Sequence, residues 1–176
     1  MTLFFYIVIA IVTFFAFLHA WTKKSFDVSR TIVINAPIGD VYAFVRQLKN
    51  RGKWMPWFKK NIGTVHFKGV DGKTDAMMYW KGRTQKIGEG TEKIIKIKPN
   101  KIIETKVIMI KPTKFVALSY FGFKEIDNKR TKMVWGIRGF SKFPLSIINI
   151  FFSVDNIFGD HIEEGVQSIK KYFENK

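Results

Sequence analysis

Residues 1–21 contain no Lys, Arg, Asp or Glu, so all thirty basic and all fourteen acidic residues lie beyond Trp21. Within this segment Leu3 to Trp21 reads LFFYIVIAIVTFFAFLHAW, broken only by Thr13 and His19. Nineteen residues at the helical rise give about 28 Å, close to the ~30 Å hydrocarbon core of a bilayer. Thr13 can satisfy its hydroxyl on its own helix, and Tyr6, His19 and Trp21 suit the interfaces. A cleaved leader needs a basic start and small residues at its cleavage site. Here nothing basic precedes the run, and Leu18-His19-Ala20 places a bulky Leu where a small residue is wanted. The segment is therefore expected to be an uncut transmembrane anchor. Lys23 and Lys24 follow it at once, so the positive-inside rule places residues 22–176 in the cytoplasm.

The rest divides into a linker over 22–29 and one domain over 30–176. Arg30–Asn35 is β-branched and reads as a strand. Ala36-Pro37 opens a helix on which Val41, Phe44, Val45 and Leu48 form one apolar stripe. Asn50-Arg51-Gly52 ends it, and Lys53–Lys60 is an aromatic turn region. A meander follows, with strands expected at Thr64–Lys68, Asp75–Lys81, Thr91–Lys98, Ile102–Ile110, Phe115–Lys124 and Thr131–Arg138. Ala76, Met78 and Trp80 share one phase, as do Ile103, Thr105, Val107 and Met109, and Met133, Trp135 and Ile137; such alternation marks strands with one buried face. The chain closes on a long helix, roughly Leu145 to Phe173, with apolar residues at steps of three and four. This is an α+β helix-grip layout, an antiparallel sheet wrapped around a C-terminal helix, preceded by one transmembrane helix.

Several local patterns along 30–175 resemble the SRPBCC superfamily, which includes START lipid-transfer domains and polyketide cyclases. Arg30–Pro37 with Val41–Phe44 resembles its opening strand and helix, Lys53–Trp57 (KWMPW) its aromatic turn, and Ala76–Gly82 with Gly88-Glu89-Gly90 its central hairpin. Thr131–Trp135 is similar to its last strand, and Asp155, Gly159, Glu163, Gly165, Ile169 and Lys170 to its closing helix. The branch most alike is the polyketide cyclase/dehydrase group. The resemblance implies a hydrophobic cavity between sheet and helix. It does not imply a reaction.

The residues exclude much chemistry. With no Cys there is no thiolate nucleophile, disulfide or Cys-ligated metal. No serine lies in a G-x-S-x-G elbow or an S-x-x-K pair. Glu163 and Glu164 are adjacent and do not face each other on a helix, and no metal-binding or phosphate-loop motif is present. No cofactor is expected. His161 is a general base or a solvated helix-face residue, His66 is expected at a strand surface, and His19 at the membrane interface. Glu92 has two readings. In phase with Gly88, Gly90 and Ile94 it points into an apolar cavity with a raised pKa; otherwise it is solvated beside Lys93.

Large side chains are the stronger signal, since pockets are mostly apolar and aromatic. The cavity lining is expected from Trp54, Met78, Trp80, Glu92, Val107, Phe121, Trp135, Phe151, Val154 and Phe158, with Trp57 and Phe123 beside them. Plain core packing is the competing reading. A net charge of +16 next to a bilayer favours anionic lipid, through Lys23, Lys24, Lys53, Lys59 and Lys60; no nucleic-acid motif accompanies it. The sequence thus reads first as a membrane-anchored binder of a hydrophobic small molecule or lipid. An enzyme of the cyclase/dehydrase type is the second reading, and an interaction module with a filled core the third.

Overall fold

Seven strands pair antiparallel in the order β1-β7-β6-β5-β4-β3-β2. The computed structural model describes residues 2–21, 25–55, 58, 62–84, 87–140 and 154–175, with side chains at all of these except 18–21, 154, 156 and 157. Helix α1 covers Thr2–Trp21 and β1 covers Ser25–Ile34. Helix α2 (Ile38–Arg46), a 3-10 turn at Leu48–Asn50 and a short α3 (Arg51–Trp54) follow. The meander is β2 (Ile62–Lys68), β3 (Met77–Gly82), β4 (Glu89–Lys98), β5 (Ile102–Lys111), β6 (Phe115–Asp127) and β7 (Arg130–Phe140). Helix α4 (Val154–Glu174) lies against β1, β7 and α3.

The period-2 pattern fixes which side of the sheet meets the helices. Ile103, Phe121 and Trp135 stand in register across β5, β6 and β7, with Arg30 next in the row. One row along come Ile94, Thr105, Ser119, Ile137 and Val28. The next holds Met78, Glu92, Val107, Ala117, Gly139 and Phe26. Residues between these rows, such as Lys106, Arg138 and Tyr79, point to the other face.

Two elements differ from the expected layout. The first strand starts at Ser25, not Arg30, so residues 25–29 of the expected linker belong to the sheet; Phe26 and Val28 continue its inward phase. Arg51 to Trp54 is a helical turn rather than the end of a helix. The cause is a carboxylate from the β2–β3 turn: Asp71 accepts from the backbone N–H groups of Leu48 (2.7 Å) and Lys49 (3.2 Å), capping the stretch that leads into α3. That turn reads Val70-Asp71-Gly72-Lys73, with Gly72 at φ +73. Of the expected helix over 145–173, the part before Val154 lies outside the described residues, as do Pro56 and Trp57 of the aromatic turn.

The segment expected to be transmembrane is a helix, α1, whose described side chains, 2–17, are all exposed. Thr13 donates to the Ile9 carbonyl at 2.8 Å, so its hydroxyl is satisfied within the helix. Among the described residues no helix is long and apolar enough to cross a membrane; α1 has described side chains only as far as Phe17.

Helix α4 is joined to β1 by an ion pair. Arg30 donates from both Nη atoms to Asp155 at 2.9 and 3.0 Å, with Glu163 further off at 3.8 Å. This fork holds the Asp155 carboxyl below the usual aspartate range, the hydrogen bond from Arg30 being the main cause. A carboxyl with a depressed folded pKa favours the folded state above its unfolded pKa and loses that contribution as pH falls through the folded value. Carbon-detected NMR titration should find Asp155 titrating below an ordinary Asp. Arg30→Gln should return it to the ordinary range, and an unchanged midpoint in that variant would contradict the assignment.

Candidate functional site

The inward residues of the middle rows form a continuous aromatic core. The Phe121 and Trp135 rings stack at 5.6 Å and 10°, and Trp54 meets Trp135 edge-on at 4.9 Å. Trp135 Nε1 donates to Ser119 Oγ at 3.0 Å. Trp54, Met78, Trp80, Phe121 and Trp135, expected to line a cavity, are all buried, and so is Glu92. Val107 and Phe158 are half-buried at its edge. Phe151, with Trp57, lies outside the described residues, and the side chain of Val154 is not described. Neither of the two cavities described below is lined by the buried members of this set.

Glu92 does point inward, as its phase with Gly90 and Ile94 requires, and it is 3% exposed. It is not solvated beside Lys93, whose amine pairs with Asp75 at 2.7 Å. Its partner is Arg51, wholly buried at the start of α3. Arg51 Nη2 donates to Glu92 Oε1 at 2.9 Å, Nε lies 3.2 and 3.3 Å from the two carboxylate oxygens, and Nη1 donates to the Val45 carbonyl at 2.7 Å. Trp54 and Phe121 each lie 5.0 Å from the guanidinium carbon. Two opposite charges are thus neutralised inside the core, with aromatic faces around the cation. Neither reaches solvent, so the pair holds α3 to β4 and has no surface on which to meet a substrate. Arg51 was not singled out in the sequence. The signal for it was Glu92 itself, since an inward carboxylate in an apolar core needs a buried cation.

Nearby, Trp54 Nε1 and Thr105 Oγ1 are buried with no hydrogen-bond partner in the protein. Among the described residues no group of three or more His, Asp or Glu converges on a common metal position. His161 is exposed on α4, and His66 is exposed on the edge strand β2, where it stacks on Tyr79 at 6.0 Å.

Open space is found at one end of the sheet. A cavity of about 870 Å³ is bounded by residues 25–27 of β1, 114–118 at the start of β6 and 138–140 at the end of β7. Its inward-phase residues are Phe26, Phe115, Ala117 and Gly139. Ala117 and Gly139 are directly paired, so two small residues adjoin, and the Phe26 ring covers Gly139, 2.9 Å from where a Cβ would stand. Phe158 of α4 stacks on Phe26 at 6.2 Å and 10° and lies 6.1 Å from Phe115. Val107 is the register partner of Ala117. None of the described residues expected to line a cavity lines this one; Phe158, packed on Phe26 and Phe115, and Val107, paired with Ala117, lie next to its lining. A smaller hollow of about 380 Å³ lies where the end of α4 meets α2, against Phe44, Tyr172 and Phe173.

Comparison with known proteins agrees with this geometry. No curated protein matches the chain significantly in sequence. Among solved structures, a protein of unknown function from Staphylococcus aureus superposes with a TM-score of 0.67 at 9% identity, covering 89% of this chain and 97% of the other. A norcoclaurine synthase point mutant from Thalictrum flavum, in complex with a transition-state analogue, superposes at 0.64 with 10% identity (86% and 95% covered). The major latex-like protein 151 of Panax ginseng superposes at 0.61 with 12% identity (86% and 99%). At these identities the likeness is one of fold. The family model described as polyketide cyclase / dehydrase and lipid transport matches residues 25–174, from the first residue of β1 to the last of α4. With its seven-stranded sheet closed by a C-terminal helix, the chain belongs to that family, within the SRPBCC superfamily.

Proposed function

We propose that the protein is a membrane-anchored binder of a hydrophobic small molecule or lipid, held in the cavity between the start of β1, the start of β6 and the end of β7. The observation that carries this reading is the 870 Å³ volume lined by Phe26, Phe115 and Phe140. It is large enough for a drug-sized or acyl-chain ligand, and its aromatic borders suit one. The family description, which includes lipid transport, supports the same reading. An enzyme is the weaker alternative, because the buried carboxylate best placed for acid–base work, Glu92, is neutralised by Arg51 and shut off from solvent.

The anchor in this reading is α1. Its apolar residues run from Leu3 to Trp21, and its described side chains are all exposed. A continuous exposed apolar surface of this kind belongs against lipid. Lys23 and Lys24 directly after it favour a cytoplasmic domain. A reporter enzyme active only outside the cytoplasm should be silent when fused after Lys176, and activity there would reverse the orientation.

The binding site is tested by filling it. In the full chain, delipidated and held in nanodiscs, a fluorescent fatty acid should bind saturably. Ala117→Trp places an indole in the volume and should weaken binding about tenfold or more, which corresponds to ~1.4 kcal/mol of lost contact. An Ala117→Trp protein with unchanged melting and unchanged affinity would remove the cavity from the account.

A further inference from the structure

We infer that the sheet end bearing Val116 and Phe140 is the face laid on the bilayer, so that the cavity opens onto a lipid leaflet rather than onto water. The inference rests on the reading of α1 as an anchor and adds which part of the domain meets the membrane.

Covalent reach carries most of the argument. Trp21 ends α1 and Ser25 begins β1; four residue steps span at most about 14 Å. Ser25 pairs with Phe140 in the sheet. Whatever course the chain takes, this corner must therefore stay within about 14 Å of the end of the helix. The sheet is antiparallel, so the ends of β5 and β7 and the starts of β4 and β6 gather here. The opposite end, with Ile126 near the β6–β7 turn, lies a strand length away, roughly 33 Å for a strand such as β1.

The side chains at the near corner suit an interface. Phe140 is 76% exposed and Val116 47% exposed, with Ile110 at 38%. Lys111 and Lys114 are exposed beside them. Aromatic and branched residues flanked by lysines match the boundary between acyl chains and anionic headgroups. The far end is also basic, with Lys129 and Arg130 at its turn, so charge alone does not choose between the two. The tether does. Phe26 and Phe115, which border the cavity, belong to the same corner.

The chain has no cysteine, which permits single-site labelling of the full protein in phosphatidylglycerol/phosphatidylcholine nanodiscs. Val116→Cys, Phe140→Cys and Ile126→Cys would each carry an environment-sensitive fluorophore, with circular dichroism as the check on folding. Val8→Cys would report on α1 through shielding from a membrane-impermeant maleimide. The expected result is blue-shifted emission at 116 and 140 that nitroxide lipids quench, with emission at 126 aqueous and unquenched. Equal, aqueous emission at all three sites with residue 8 shielded would overturn the docking face and leave the anchor standing. A blue shift at 116 and 140 that nitroxide lipids do not quench would mean that protein, such as a second copy, covers the corner, and would also overturn it. An unshielded residue 8 would remove the anchor and this inference together.

Discussion

Glu92→Ala is expected to lower the unfolding free energy by about 3–5 kcal/mol, because it leaves the Arg51 guanidinium charged and unpaired inside the core. Arg51 is wholly buried and its three polar contacts are the Glu92 oxygens and the Val45 carbonyl. With the carboxylate gone, Nε and Nη2 face apolar groups and the rings of Trp54 and Phe121. Rings near a cation offset only part of that desolvation. The paired state is different. Two desolvated charges roughly balance their own attraction, so replacing both by apolar residues of similar size is often neutral or stabilising. The double variant Arg51→Met/Glu92→Leu should therefore recover most of the loss, and denaturant titration of the full chain in detergent measures both. A loss below about 1 kcal/mol in the single variant would mean that the guanidinium finds water, contrary to its burial.

The same pair shows how far the sequence could be read. The direction of Glu92 follows from its phase with Gly90 and Ile94, yet that alternation does not persist along the whole of β4. The structure supplies the reason: the register of β4 against β5 shifts between Glu89 and Gly90 and again between Ile94 and Lys96, so Ile95 falls out of step. A bulge adds a residue without changing composition, and period counting cannot locate it. Arg51 was harder still. It sits 41 positions from Glu92, on a helical turn that exists because Asp71 caps the preceding residues from another loop. Neither fact is local in sequence.

The position of the cavity was hidden for the opposite reason. Large aromatic residues are conspicuous, and they were expected to surround a void; Trp54, Phe121 and Trp135 instead pack on one another. The open volume adjoins the place where side chains are small, at Ala117 and Gly139. An Ala and a Gly in adjacent strands carry no signal until register pairs them. What was legible was the order of elements, the inward rows of β3, β5 and β7, and the apolar segment before β1. Strand periodicity and hydropathy act over a few residues, whereas partner choice and empty space are set across the whole sheet.

Trp135→Ala should be the other large loss, about 3–5 kcal/mol for a buried aromatic of this size, and its dependence on Gly165 tells whether the closing helix is seated as described. Gly165 lies on α4 directly over the indole. A Cβ built there would stand 2.3 Å from Trp135 Cζ3 and 3.2 Å from two more ring atoms, closer than real contacts allow. The ring cannot easily retreat, because Ser119 holds its Nε1 and Phe121 lies stacked on it. In the wild-type protein Gly165→Ala therefore sets about 1 kcal/mol of helix propensity against about 1–3 kcal/mol of overpacking, and should be destabilising on balance. Once Trp135 is Ala the obstacle is gone and only the propensity gain remains. Gly165→Ala should then stabilise the Trp135→Ala protein by up to about 1 kcal/mol. This reversal of sign between backgrounds is a coupling that distant, independent sites do not show. Thermal unfolding of the four proteins in one detergent measures it. Equal effects of Gly165→Ala in both backgrounds would place α4 away from β7, and with it Phe158 away from Phe26 and Phe115, the cavity residues on which it packs.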